Sequence, residues 1–288
     1  MTDENNFDAL WDYSNPKETE RKFREIVAKL PSDDSAALEL LTQIARAQGL
    51  QRNFHEAHQT LDRVEKQLDG IGSRARVRYL LERGRVFNSS GVPHLARQLF
   101  KKAEQIATQL SEDFYAVDAI HMLAILTEPP QSLDLNLRAI QRAESSGQEK
   151  ARNWLGSLYN NTGWSYHDMG DYESALKMFR KAQAWQRSKG RVDETRIAKW
   201  TVARTLRSMS RFEEALSHQR ELEKEFEFTA EEDGYVFEEI GECLLGLNQL
   251  DEARPYFATA YLILSKDEWL VEKEPERLQR LKKLGNVE

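Results

Sequence analysis

The chain has 288 residues, 40% hydrophobic and 31% charged, with 48 Asp and Glu against 41 Lys and Arg and a formal net charge of -7. Such a chain is apolar enough to bury a core and too apolar to stay disordered. Its acidic balance excludes the dense basic footprint of a nonspecific nucleic-acid binder. The single cysteine, Cys243, excludes an internal disulfide, and no stretch approaches the ~20 apolar residues that a membrane-spanning helix requires.

The opening MTDENNFDALWDYS is polar and acidic and does not resemble a signal peptide. The expectation is a soluble cytoplasmic protein with neither a membrane nor a nucleic acid as partner. Phe7, Leu10 and Trp11 suggest a short first helix. Ser14-Asn15-Pro16 is a helix start, with a capping side chain and proline at the first turn. The helix continues to Leu30, and Pro31-Ser32-Asp33-Asp34 breaks it and caps the next. Helical periodicity then predicts pairs at 36–50 and 54–68, at 74–90 and 93–110, and at 112–126 and 133–144. Gly70 to Ser73 and Ser145-Ser146-Gly147 are loops, and Pro129-Pro130 ends the helix before it. Further pairs follow at 148–169 and 172–188, at 193–209 and 212–226, and at 231–247 and 251–264. Pro255 is expected in the first turn after Asp251, where a missing N–H costs least. A last amphipathic helix spans 274–284.

One position recurs through these pairs at intervals of 38 to 40 residues: Thr19, Ala57, Ala96, Asn136, Ala175, Ala215 and Ala253. Twelve before each, after the first unit, stand Ala45, Gly84, Ala124, Gly163, Ala203 and Gly241. Four after stand Phe23, Leu61, Phe100, Ile140, Phe179, Gln219 and Phe257. Two helices joined by a short turn pack closely only where the crossing point carries little side chain. A fixed period of this size marks a solenoid.

The stretch 158–182 resembles one tetratricopeptide repeat. Gly163, Tyr166, Ala175, Phe179 and Ala182 fall on the family's five signature positions, and the likeness extends over nearly the whole chain with a longer period. The resemblance implies an all-α fold: a right-handed α-solenoid of about seven helix-turn-helix repeats in one domain, 1–288. The repeats are 4–30, 36–68, 74–110, 112–144, 148–188, 193–226 and 231–264, closed by a capping helix at 274–284.

The resemblance also implies that ligand contacts come from the first helix of each pair, on the concave face. Carried onto this chain, that face includes Arg46, Arg85, Asn88, His121, Asn160, Asn161, Trp164, His167, Trp200, Arg204, Arg207, Tyr235, Glu238 and Glu242. Asparagines there suit a peptide backbone, Arg85, Arg204 and Arg207 suit a carboxylate, and Trp164, Trp200 and Tyr235 supply apolar anchors. The lysines of the family's carboxylate-clamp variety are absent from the set. The alternative reading of the same residues is structural, with each Arg paired to a Glu of the neighbouring repeat and the tryptophans packing between repeats.

The expected function is a non-catalytic scaffold binding an unidentified protein or peptide in the groove. A sensor acting through protein contacts, and a structural protein that self-associates through Arg97, Lys101, Lys102, Lys177 and Arg180 on the second helices, are the alternatives. No HExxH, paired CxxC, GxSxG or glycine-rich phosphate loop is present, so neither an enzyme, a metal nor a cofactor is expected. Asp118 with His121, His167 with Asp168, and His55 with His58 are the nearest approaches to a catalytic or metal-binding cluster. Cys243, inside an apolar helical run, is expected to be a buried hydrophobe.

Overall fold

Asn15, Asp34, Ser73, Asp171, Asp233 and Asp267 each precede a helix and cap it by accepting from a backbone N–H of its first turn. The structure, a computed structural model, describes residues 7–31, 34–68 and 73–287. Residues 4–6 of the expected first repeat, Ser32-Asp33 of the expected break and Gly70-Ile71-Gly72 of the expected loop lie outside these. A 3-10 turn, Phe7–Leu10, precedes α1, Pro16–Val27, which is capped by the Asn15 side chain accepting from the Glu18 N–H. The chain continues through α2 (Ser35–Leu50), α3 (Phe54–Glu65), α4 (Arg74–Ser89), α5 (Pro93–Gln109), α6 (Asp113–Ile125), α7 (Gln131–Ser145) and α8 (Glu149–Arg152). After these come α9 (Leu155–Asp168), α10 (Tyr172–Ser188), α11 (Val192–Ser208), α12 (Phe212–Phe228), α13 (Gly234–Gly246), α14 (Leu250–Leu264), α15 (Glu268–Lys273) and α16 (Pro275–Leu284). No strand occurs among the described residues.

The helices form two compact units, Met1–Leu155 and Gly156–Glu288. In the first, α2 packs on α3, α4 on α5 and α6 on α7, while α2 and α4 also pack as neighbouring first helices. In the second, α10 packs on α11, α11 on α12, α13 on α14 and α14 on α16. Each unit has its own apolar core, around Leu61, Leu81 and Phe100 in one and Phe179, Leu206, Ile240 and Phe257 in the other.

The crossing points explain the small residues. A Cβ on Gly84, Gly163 or Gly241 would lie within 3 Å of the ring of Phe100, Phe179 or Phe257 respectively. Where the first helix carries Ala45, Ala124 or Ala203 instead, the facing position is Leu61, Ile140 or Gln219. Glycine thus accompanies the phenyl ring, and alanine accompanies the narrower side chain. Thr19 and Asn136, which depart from the small-residue pattern, are buried at the same anchor position.

The turns repeat as well. Arg52, Gly91, Gly170, Ser210 and Asn248, each five residues before its anchor, all take positive φ. The following N–H then reaches back to a carbonyl of the first helix, as in Val92 to Phe87 at 2.8 Å and Arg211 to Leu206 at 2.9 Å. These bonds satisfy carbonyls that a helix end leaves orphaned.

Three expectations are corrected. The helix expected over 148–169 is broken at Asn153-Trp154 into α8 and α9. The Trp154 ring packs on His121 at 5.2 Å and on Phe114 at 6.2 Å. Pro255 is the sixth residue of α14, beyond the first turn, so its ring nitrogen cannot donate to the Asp251 carbonyl. The short first helix is a single 3-10 turn, whose Phe7 packs with Phe23, Leu40 and Ile44.

Candidate functional site

In the second unit the first helices α9, α11 and α13 carry an aromatic ladder. Trp164 stands 6.3 Å from Trp200, and Trp200 stands 6.3 Å from Tyr235. Trp164 also meets the buried Phe179 edge-on at 5.2 Å, and the Trp200 indole N–H donates to the Tyr235 carbonyl at 3.3 Å. The rings are half-buried, and the Arg277 guanidinium lies over Tyr235 at 5.2 Å. Beside them lies a trough of about 520 Å³ bounded by Trp164, Trp200, Arg204, Arg207, Glu238, Glu239 and Glu242, with Glu274, Arg277 and Arg280 on its far wall.

The arginines of this trough are already engaged. Arg207 holds Glu239 through two bonds, Nε to Oε2 at 2.6 Å and Nη2 to Oε1 at 3.1 Å, and Arg204 approaches the same carboxylate at 3.1 Å. Arg277 clamps Glu238 through Nε at 3.0 Å and Nη2 at 2.5 Å, and Arg280 pairs with Glu242. Burial pushes the Glu239 carboxyl up to about 7, against the pull of Arg207. Arg277 and Arg280 belong to α16, which the sequence marked only as a cap. Its arginines meet α13 as those of α11 do, so α16 stands as one more first helix.

The same pairing runs through the first unit. Arg85 holds Asp118 at 2.5 and 2.6 Å and Glu82 at 2.8 Å, with both acids buried. Arg46 approaches Glu82 at 3.3 Å and lies over the rings of Trp11 and Tyr13. For Arg46, Arg85, Arg204 and Arg207 the geometry is therefore that of the structural reading. A ligand carboxylate would have to displace a protein carboxylate from each. The first-helix face of this unit is also covered locally by residues 7–13. Asp8 pairs with the buried Arg78, Phe7 lies under that guanidinium, and the Trp11 indole donates to Gln43 at 3.1 Å.

The remaining candidates are placed as follows. Asn88 lines a small cavity of about 170 Å³ with Arg46, Arg85 and Met122. Asn160 bonds to Asn161 at 3.4 Å. His167 meets Trp164 edge-on at 5.2 Å and shares a hydrogen bond with Ser208 at 2.9 Å, and burial holds it below the usual histidine range. His121 is likewise depressed by burial and leaves Nδ1 without a partner. Asp118 is taken by Arg85, and His58 packs at a tilt on Phe87 at 4.7 Å and bonds to Arg83. Among the described residues no group of three His, Cys, Asp or Glu is placed to hold a metal. Cys243 is fully buried and its thiol is pushed up to about 12 by burial. On the second helices, Arg97 is engaged by Thr127, while Lys101, Lys102, Lys177 and Arg180 are exposed. Among the described residues no helix is long and apolar enough to cross a membrane.

Sequence reasoning reached the ladder through the repeat register. It missed Asp193, Arg196, Phe226 and Glu232, which surround a second opening next to Trp200. These stand at helix ends and in a loop, outside the repeating positions.

Comparison with known proteins agrees with this architecture. Residues 151–189 match the family model for the tetratricopeptide repeat. The solved structure of the apo form of RapI is 13% identical, with 96% of this chain and 79% of that chain covered and a TM-score of 0.74. A signal-transduction ATPase with a tetratricopeptide repeat sensor, from Pyrococcus horikoshii, is 15% identical, with 94% of this chain and 44% of that one covered and a TM-score of 0.68. The apo quorum sensor NprR from B. thuringiensis is 13% identical over 88% of this chain and 83% of that chain, with a TM-score of 0.51. At these identities the likeness is one of fold. No curated protein sequence matches the chain.

Proposed function

We propose, from the premise that the chain belongs to the tetratricopeptide-repeat family, that it is a non-catalytic interaction module holding an extended peptide or partner segment on the first-helix face of its second unit. The observation that carries this reading is the ladder Trp164–Trp200–Tyr235 beside an open trough. Half-buried Trp and Tyr side chains beside an opening are the usual anchors of an interface. The first unit offers less, because residues 7–13 already lie on its corresponding face.

The test is capture of partners from a native lysate on the immobilised chain and on Trp200→Ala, with helicity checked by circular dichroism. A protein held only by the unaltered chain supports the trough. The same proteins held equally by both forms refute it. Arg204 is a poor probe for this purpose, since its loss exposes the buried Glu239 to one cation fewer.

A second reading, a sensor in which a bound peptide alters partner contacts, is favoured by the names of two structures of like fold, a quorum sensor and an ATPase with a repeat sensor. Scattering curves that change when a trough-binding peptide is added would support it. Curves that do not change would leave the module as a passive scaffold.

A further inference from the structure

The charges on the ligand face of the second unit do not balance evenly. In the trough, four arginines meet four glutamates. Next to it, between the N-terminal halves of α11 and α13, lies a cavity of about 580 Å³ that shares Trp200 and is walled by Tyr235 and by Ile197, which is 59% exposed. Four carboxylates surround this cavity, those of Asp193, Glu231, Glu232 and Asp233, against the single cation Arg196. Two of the acids are committed. Glu231 accepts from Arg196 at 2.8 Å and from Thr229 at 2.8 Å, and Asp233 caps α13. Asp193, whose side chain is 87% exposed and 3.8 Å from Arg196, and the exposed Glu232 supply the negative charge left over.

Arg196 is itself engaged: it is 8% exposed, lies over the Phe226 ring at 4.6 Å, and its Nη2 donates to the Glu225 carbonyl and to Thr229. The Tyr235 ring likewise has the Arg277 guanidinium over it at 5.2 Å. The Trp200 ring and the exposed Ile197 therefore stand beside the two uncommitted carboxylates, a lining that favours a cation on an aliphatic stem. A basic side chain of a peptide supplies that complement, and a cavity of this size lies within the range of ligand pockets.

We propose that this cavity receives an arginine or lysine side chain of a peptide whose backbone lies along the adjoining trough. The proposal rests on the peptide-binding reading above and adds to it a sign: the ligand is basic at this position, although the sequence pattern of arginines suggests an acidic one.

The test uses the full chain on an array of random twelve-residue peptides. The strongest binder is then resynthesised with each Arg replaced by citrulline and each Lys by norleucine, and spermidine serves as a free-amine competitor. The expected result is enrichment of Arg and Lys among binders and a loss of roughly ten-fold on neutralising one of them. Asp193→Asn/Glu232→Gln should lose the same factor while retaining the neutralised peptide as well as the unaltered chain does. Binding without preference for basic residues, or an unchanged affinity in the double variant, overturns this inference and leaves the peptide reading standing. Spermidine binding as tightly as the best peptide also overturns it, in favour of a free amine. Failure to bind any peptide overturns both.

Discussion

The pairing of glycine with a phenyl ring makes a prediction whose sign is informative. Gly163 lies inside α9, where replacing glycine by alanine should ordinarily stabilise a helix by about 1 kcal/mol. A Cβ there would stand 2.5 Å from Cε1, 2.7 Å from Cδ1 and 2.8 Å from Cζ of Phe179. Ordinary contact begins near ~3.5 Å, so a fully buried ring would have to move by most of an ångström. Such overpacking costs about 1 to 3 kcal/mol. Gly163→Ala should therefore leave the second unit no more stable than before, and up to about 2 kcal/mol less stable, despite the better propensity. Phe179→Leu alone should also destabilise, by leaving a void beside Gly163. Combined, the two changes recreate the Ala45/Leu61 pair found elsewhere in the chain. The double variant should then be more stable than the sum of the single effects predicts, with a coupling of about 1 kcal/mol or more. Urea unfolding followed by circular dichroism and by tryptophan fluorescence reports these values. A Gly163→Ala variant stabilised by the full helix-propensity gain, or strict additivity in the double variant, would refute the reasoning.

Three further expectations follow from the same packing. Gln219 is fully buried with neither side-chain oxygen nor nitrogen bonded, so Gln219→Leu should raise the urea midpoint, by about 1 to 3 kcal/mol of stability; an unchanged or lower midpoint would contradict it. Arg85→Gln strips the cation from the buried Asp118 and Glu82 and should cost about 3 to 5 kcal/mol, visible as early unfolding; a variant as stable as the original chain would show the pairs to be neutral. His121 and His167 are both held below the usual histidine range by burial, so at these two sites the folded chain binds fewer protons than the unfolded one. Their contribution is complete above about pH 6.5 and lost as the pH falls through the folded values. Midpoints compared at pH 7.5 and 5.5 should thus fall less on acidification in His121→Gln/His167→Gln, with Glu239, raised and therefore titrating in the opposite sense, common to both proteins. An equal fall in both would refute this assignment.

The sequence revealed the register because small residues at a crossing cannot be replaced freely, which leaves the 38-to-40-residue period visible from Ala57 to Ala253. The helix breaks were harder to see. Arg52, Ser210 and Asn248 adopt the left-handed backbone without being glycine, because the repeating turn imposes it. Nothing local announces the interruption at Asn153-Trp154, since the Trp154 ring is drawn to Phe114 and His121 more than thirty residues earlier. The ladder Trp164–Trp200–Tyr235 was available from spacing alone. The residue types alone do not decide whether the arginines are occupied, since a partner such as Glu239 for Arg207 is 32 residues away and either role uses the same residue types. Asp193 and Glu232 escaped because they lie outside the repeating positions and acquire meaning only from the cavity beside them.

The contact of residues 7–13 with the first unit bears on any ligand for that face. Asp8, Trp11 and Tyr13 are joined to their targets by the same chain, so they compete at an effective concentration of the millimolar order set by a short tether. A free molecule seeking Arg78 or Arg46 meets this internal rival at every encounter. Its apparent affinity is reduced by the fraction of time the face is vacant. Removing the first thirteen residues would abolish that competition at the expense of the Phe7 packing, so the two faces of the protein would differ in how they answer to truncation: the first gains access, and the second is unaffected.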